Sequence, residues 1–575
     1  MLSGDVLEGD EVYEFTWVGK KASIVEANTP IRKTLRPCKE ESVNWDTTEN
    51  LYIEGDNLKV LKLLQESYLG KVKMIYIDPP YNTGNDFIYN DDFKMSREEY
   101  ADEQGEYDDE GNRMFRNMDS NGRFHSDWCS MLYSRLLLSR SLLTADGAIF
   151  ISIDDHENDN MKKICNEVFG EKNFVACVAW QRNYAPISLK KFFSESHEYC
   201  FVYAKNIEQF KMNLLPRTEK QNKDYTNPDN DPRGAWKVGN LTVGPAVEKQ
   251  VYEIIGPTGK RFMPPSGYCW RFTKERFEEL RADNRIWFGV DGNNSPVPKL
   301  FLTEVQDGVT PMTLWTFDEA GHNQIATREL RDIFGASIFT SPKPVKYITR
   351  YVQIGMNKDD IILDFFAGSA TTAHAVMQLN AEDGGNRKFI MVQLDEKTDE
   401  KSEAYKAGYA NICEIGKERI RRAGQKILEE NKDKEGIENL DIGFRVLKID
   451  ETNMNDVYYN PDKYSQDLLS ALESNVKPDR SDLDLLFGCL LEWGLPLSLP
   501  HCSEQIEGCT VHNYNDGDLI ACFDENIPES VIKAIAKKQP FRVVFRDSSF
   551  ADSPSKINVR EIFKLLAPDT RMKVI

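Results

Sequence analysis

An α/β fold built on a parallel, doubly wound sheet is predicted by three features of this sequence. Short apolar runs alternate with stretches of helical periodicity. One run, Met74-Ile75-Tyr76-Ile77, delivers Asp78-Pro79-Pro80-Tyr81 to a sheet edge. Another, Ile361-Ile362-Leu363, leads through Asp364-Phe365-Phe366-Ala367-Gly368-Ser369-Ala370 into a helix. Strands that read as unbroken apolar runs are covered on both faces, as parallel strands flanked by helices are.

Residues 1–50 form a polar lead with a strand candidate at Val12–Val18. Asp56 and Asn57 precede a stretch in which Leu58, Val60, Leu61 and Leu64 share a face, predicting a helix over 57–67 that feeds the Met74–Ile77 strand. The acidic stretch Asp91–Gly111 has no periodicity and reads as a mobile loop beside the site. Helical spacing returns over Trp128–Leu143, followed by strands at Ala148–Ile153, Phe174–Trp180 and Tyr199–Ala204. Between about 207 and 335, Gly, Pro and Asn punctuate short segments in which Trp236, Phe262 and Trp270 lie among bases, as suits a surface that touches an extended partner. Alternation resumes with the Ile361 strand, a helix over Thr371–Leu379 and a strand over Phe389–Leu394.

A chain of 575 residues with 40% hydrophobic and 11% aromatic content has ample material for several globular cores. The start lacks the basic and apolar regions of a secretion signal, and no apolar stretch is long enough to cross a bilayer, which predicts a cytoplasmic protein. The 11 cysteines contain no C-x-x-C and read as reduced core thiols. A net charge of -21 argues against nucleic acid as a partner, but the distribution is uneven. Residues 181–281 hold 17 Lys and Arg against 12 Asp and Glu, whereas 91–110 hold 10 acids against 2 bases.

The Asp78 turn has the chemistry to hold a planar amino group. Asp78 offers carboxylate oxygens, the Pro79 carbonyl a fixed acceptor, and Tyr81 a flat face, while two locked prolines stiffen the turn. An adenine swung out of a duplex would fit. The Asp364–Ala370 turn is the strand-turn-helix unit of a nucleotide-binding fold, in which small residues let a ligand approach backbone amides. Asp395, after the next strand, is placed for ribose hydroxyls, although G-x-G-x-x-G is absent and the acid lies further along than usual. Either turn also occurs in proteins that bind nothing there.

Taken together, DPPY and DFFAGS resemble the amino-methyltransferases of DNA, in the order that puts the catalytic motif before the cofactor motif. Leu51–Asn57, Asp78–Gly84 as DPPYNTG, His197-Glu198-Tyr199, Ser341-Pro342-Lys343-Pro344 and Asp364–Ala375 as DFFAGSATTAHA are similar to the modification subunits of type III restriction-modification systems, over most of residues 11–430. Asp484–Phe487 and Trp493–Leu497 are similar too. Two departures stand out. Ala370 replaces a frequent second glycine, and the lead before Val12 is shorter than the family's usual helical start.

The resemblance implies a Rossmann-like S-adenosylmethionine-dependent methyltransferase sheet with an inserted target recognition domain and a C-terminal domain. Its expected parts are a lead at 1–50, a catalytic part at 51–206, target recognition at 207–335, a cofactor part at 336–450 and dimer or partner contacts at 451–575. The implied reaction is methyl transfer to N6 of adenine in double-stranded DNA, with Asp78, Pro79, Pro80 and Tyr81 catalytic. S-adenosylmethionine is expected against Asp364, Phe365, Phe366, Ala367, Gly368, Ser369 and Asp395. Lys343 and Pro344 are expected near its methionine carboxylate, and Asp56 and Asn57 near its adenine, with Asp56 equally suited to cap a helix. A homodimer and a separate restriction subunit are the implied partners, since the chain has no G-x-x-x-x-G-K-[ST] of its own. A solitary methyltransferase, an N4-cytosine enzyme and a silent recognition subunit remain alternatives.

Two other clusters carry less. His501, Cys502, Cys509 and His512 fit no common zinc spacing, so no metal is expected. The basic run Lys417–Arg422 suits a phosphate backbone or a solvated helix face.

Overall fold

The structure, a computed structural model, describes residues 14–84, 122–186, 190–306, 308–455, 476–550 and 553–575, with the backbone of three short strands, Phe87–Tyr89, Glu106–Tyr107 and Arg113–Arg116. It divides into two compact units, Met1–Met212 with Met312–Ile575, and Asn213–Pro311.

Ten strands of the first unit make one sheet. They are β1 (Lys33–Val43), β2 (Leu51–Glu54), β3 (Val72–Ile77), β4 (Leu143–Ile153), β5 (Phe174–Gln181), β6 (His197–Ala204), β7 (Leu314–Trp315), β8 (Ile361–Asp364), β9 (Lys388–Gln393) and β10 (Phe444–Glu451). Their spatial order is β1-β10-β2-β9-β8-β3-β4-β6-β5-β7. From β10 to β4 the neighbours are all parallel. Every residue of β3 is buried, which explains the unbroken apolar run Met74–Ile77, while Lys73 is paired with Asp146.

The sheet is mixed at its margins, unlike the wholly parallel one expected. β6 runs antiparallel to both β4 and β5, and β1 runs antiparallel to β10. The short connection 182–196 joins β5 to β6 with no helix among its described residues, and only an antiparallel partner can be reached without a crossover. The strand expected at Val12–Val18 is also absent over its described part, Glu14–Val18. There the Trp17 indole donates to Ser130 Oγ at 2.9 Å and stands edge-on to Tyr133.

Helices α1 (Asn57–Tyr68), α2 (Phe124–Leu142), α3 (Val345–Gly355), α4 (Thr371–Asp383) and α5 (Ile412–Glu430) belong to this unit. Asp56 caps α1 by accepting from the Lys59 amide at 3.0 Å, and Leu58, Val60, Leu61 and Leu64 are buried on its inner face. Burying each such side chain contributes about 1.5–3 kcal/mol. β8 continues through α4 to β9 on one side, while β3 continues through α2 to β4 on the other. The winding of the sheet therefore reverses between β8 and β3, and the crevice beyond the carboxyl ends at such a reversal is where α/β sheets bind ligands.

Most of the stretch Asp91–Gly111 lies outside the described residues. Its Glu106–Tyr107 pairs with Arg113–Arg116, which also pairs with Phe87–Tyr89. After β10, the helix Asp482–Glu492 contributes Leu485, Leu486 and Leu490 to the main core. A five-stranded sheet follows, in the order His501–Ile506, Cys509–Tyr514, Leu519–Cys522, Arg542–Phe545 and Arg571–Val574.

The unit Asn213–Pro311 has its own small core of Leu241, Ile254, Trp270, Phe277, Ile286 and Phe288, with short antiparallel pairings such as Trp236–Val238 on Val297–Phe301. It is narrower than the span 207–335, because β7 and the helix Asn323–Phe334 fall in the first unit. Among the described residues, no helix is long and apolar enough to cross a membrane.

Candidate active site

β3 and β8 are adjacent and parallel, with Met74 opposite Ile362 and Ile75 opposite Leu363. Their carboxyl ends release the Asp78 and Asp364 turns side by side at the reversal of the sheet. The two stretches that the sequence separates by nearly half the chain meet at one edge.

At the first turn, the two contacts of the Asp78 carboxylate with described residues fall on one oxygen. Tyr81 Oη donates to Asp78 Oδ1 at 2.8 Å, and Lys343 Nζ lies 3.1 Å from the same atom. Oδ2 has no hydrogen-bond partner among the described residues, and the side chain is 27% exposed. Lys343 also donates to Tyr81 Oη at 2.7 Å and to Glu198 Oε2 at 3.1 Å, with its ammonium 4.9 Å from the centre of the Tyr81 ring. Glu198 Oε1 accepts from Arg182 at 2.5 Å, and Glu198 Oε2 also accepts from Tyr81 Oη at 3.2 Å.

Two cations and two carboxylates thus form a mutually paired cluster. Burial raises the Asp78 carboxyl above its ordinary range, with Lys343 opposing. Burial would also raise Glu198, but Lys343 and Arg182 outweigh it and hold that carboxyl low. Burial alone would lower Lys343, yet Asp78 and Glu198 keep its ammonium above the ordinary value.

The turn itself is pinned from beneath. The buried Trp128 indole donates to the Pro80 carbonyl at 2.7 Å. Asn82, in the left-handed region at φ 61°, donates to Glu157 Oε1 at 2.5 Å.

The second turn is left-handed at Gly368 (φ 51°) and at Ala370 (φ 59°). Holding alanine there costs about 1–2 kcal/mol. A compensating bond runs from the Ala370 amide to the Ala367 carbonyl at 2.7 Å. Gly368 N donates to Gln393 Oε1 at 2.7 Å, tying the turn to the end of β9. Asp364 accepts from the Phe366 amide at 3.1 Å and from Thr372 Oγ1 at 2.6 Å. Burial pushes its carboxyl up to about 7.

Arg419 of α5 is wholly buried and donates to Ser369 Oγ at 2.8 Å and Thr371 Oγ1 at 2.6 Å. Burial draws its guanidinium down to about 10.

The remaining candidates sort by what they touch. Asp56 caps α1 and faces Arg135 at 3.4 Å, so its carboxylate is engaged by the protein. Asn57 donates to the Phe365 carbonyl at 2.7 Å and accepts from Arg135 Nε at 2.5 Å, bracing the Gly368 turn from below. Phe365, Phe366 and Ala367 are buried, and Asp395 is exposed just past β9. Pro344 stands at the N-cap of α3, and Lys343 before it reaches the Asp78 turn.

Sequence reasoning did not assign Glu198, Arg182, Gln393, Trp128, Arg135 or Arg419 to the site. A signal existed for Glu198, an acid inside the apolar run of β6. The basic run on α5 is neither a phosphate grip nor a solvated face at Lys417 and Arg419. Lys417 is buried against Glu41 and Glu54, and Arg419 is buried under the Ser369 turn. Of the four residues set aside as a zinc candidate, Cys502 is exposed and His512 Nδ1 lies 2.8 Å from Ser503 Oγ.

The DNA methylase family matches residues 72–425. The Mod subunit of the EcoPI type III restriction-modification enzyme of Escherichia phage P1 is 32% identical, covering 97% of this chain and 90% of that protein. The EcoP15I Mod subunit of Escherichia coli is 32% identical with the same coverage. The StyLTI Mod subunit of Salmonella typhimurium is 36% identical over 75% of this chain and 65% of its own length. With DPPY and DFFAGS joined at the reversal of one sheet, the chain belongs to the DNA methylase family, among the Mod subunits of type III restriction-modification enzymes, and is a DNA methyltransferase.

Proposed function

We propose that this protein methylates N6 of adenine in double-stranded DNA as the modification and recognition subunit of a type III system. The observation that carries this reading is Asp78 Oδ2, which has no hydrogen-bond partner among the described residues and lies beside the Gly368 turn, with Oδ1 already held by Lys343 and Tyr81. An exocyclic amine has two N–H groups to donate. Asp78 Oδ2 takes one and the Pro79 carbonyl the other, which aims the nitrogen lone pair away from the carboxylate.

The Gly368 turn fits S-adenosylmethionine. Ala367, Gly368 and Ser369 present little side-chain bulk, the buried Asp364 orients the turn through the Phe366 amide and Thr372 Oγ1, and the exposed Asp395 offers a carboxyl group for ribose hydroxyls. Bound there, that cofactor supplies an electrophilic methyl group. Asp78 then receives the proton that the alkylated nitrogen sheds, so no strong base is required beforehand. Catalysis is largely positioning and electrostatics. Tyr81, half-buried beside Asp78, stacks on a base extruded from the duplex, because a stacked base cannot present its amine in line.

The unit Asn213–Pro311 reads the DNA site. The protein works in the cytoplasm as a homodimer with a restriction subunit. Nucleoside mass spectrometry tests the reaction, using DNA from a methylation-deficient host incubated with S-adenosylmethionine. N6-methyladenine is the expected product, and N4-methylcytosine would overturn the adenine assignment.

A further inference from the structure

Glu198 meets Lys343 and Tyr81, the two side chains that hold Asp78 Oδ1. It is 4% exposed, stands near the start of β6, and bonds Lys343, Arg182 and Tyr81 at 3.1, 2.5 and 3.2 Å. A buried carboxylate with three donors is held in one orientation, and its charge is felt strongly because little water screens it. The groups facing it come from every neighbouring element. Lys343 precedes α3, Arg182 follows β5, Asp78 and Tyr81 follow β3, Tyr347 lies on α3, and Asp154, after β4, faces Arg182.

We propose that Glu198 is a positioning residue for methyl transfer, fixing Lys343 on Asp78 Oδ1 so that only Oδ2 is offered to the acceptor amine, and balancing the charge of Lys343 beside the reacting nitrogen. The geometry has a direct consequence. Without Glu198, the Lys343 ammonium keeps only Asp78 and Tyr81 on the same side and can swing to bridge both Asp78 oxygens, occupying the acceptor that the amine needs. An uncompensated cation would also oppose the positive charge that develops on the nitrogen as it is alkylated. The proposal rests on the reading of Asp78 as the amine acceptor.

Charge removal on the two sides of the cluster must act in opposite directions on Asp78. Glu198 raises the Asp78 carboxyl and Lys343 lowers it. In Glu198→Gln, the acid limb of the kcat profile therefore moves to lower pH. In Lys343→Met, it moves to higher pH.

The test measures kcat against pH for full-length wild type, Glu198→Gln, Glu198→Asp and Lys343→Met. Tritiated S-adenosylmethionine and DNA from a methylation-deficient host are used at saturation, with cofactor affinity read by calorimetry as a control on folding. Expected are a loss of about tenfold or more in kcat for Glu198→Gln, substantial recovery in Glu198→Asp, cofactor affinity near wild type, and acid limbs displaced in opposite senses. Limbs that stay put or move together, or an undiminished kcat in Glu198→Gln, would overturn the proposal. Asp78→Asn tests the underlying reading separately. If that variant retains full activity, both fall, whereas an inactive Asp78→Asn with an unaffected Glu198→Gln removes only the role of Glu198.

Discussion

Lys343 Nζ lies 3.1 Å from Asp78 Oδ1, which joins the start of α3 to the turn after β3. The family resemblance implies that Lys343 lies near the methionine end of the cofactor, yet its polar contacts among the described residues are Asp78, Tyr81 and Glu198. Replacing Lys343 by alanine should therefore leave S-adenosylmethionine affinity within about threefold while lowering kcat by tenfold or more. Calorimetry beside single-turnover methyl transfer separates the two effects. A collapse of cofactor affinity alone would return Lys343 to the cofactor side.

Gly368→Val should act in the reverse sense. Gly368 is left-handed at φ 51°, a region that β-branched residues avoid, and an added Cβ there would sit 3.4 Å from Phe339 Cζ. The turn must deform, and cofactor affinity should fall at least tenfold. Calorimetric titration with S-adenosylmethionine measures this directly.

Asp364 gives the protein a pH dependence of known sign. Its carboxyl is raised to about 7 by burial, so the folded state binds a proton more tightly than the unfolded chain does. The stability it contributes is complete below about pH 4 and is lost as pH rises through about 7, by at most about 4 kcal/mol. Asp364→Asn should flatten the fall in melting temperature between pH 5 and 8, as read by scanning calorimetry. An unchanged slope would exclude Asp364 as its source.

Much of this site was legible before any coordinates, and the reasons are local. The Met74–Ile77 and Ile361–Leu363 runs are apolar because both faces of β3 and β8 are buried, and the Asp78 and Gly368 turns are marked by prolines and small residues that few other structures need. Adjacency of the two strands was not legible, since register between segments so far apart depends on the whole sheet. The partners of Asp78 were hidden for the same reason. Nothing near Lys343 in sequence shows that it reaches the β3 turn. The direction of β6 is not legible in its own residues, because an apolar run looks the same parallel or antiparallel, and only the short connection 182–196 decides it.

Arg419 holds the Gly368 turn from below through Ser369 and Thr371. Arg419→Met keeps much of the packing volume and removes both bonds, leaving the left-handed Ala370 without its brace. Melting temperature should drop by several degrees, since buried charge-assisted bonds of this kind contribute about 1.5–3 kcal/mol each. Cofactor affinity should weaken with it, measured by thermal shift with and without S-adenosylmethionine.

The most direct measurement is single-turnover methyl transfer by Asp78→Ala at saturating DNA and S-adenosylmethionine, with cofactor affinity taken on the same preparation. A donor and an amine meeting where β3 and β8 end side by side predicts no detectable transfer with cofactor binding close to wild type. Transfer at the wild-type rate would contradict it.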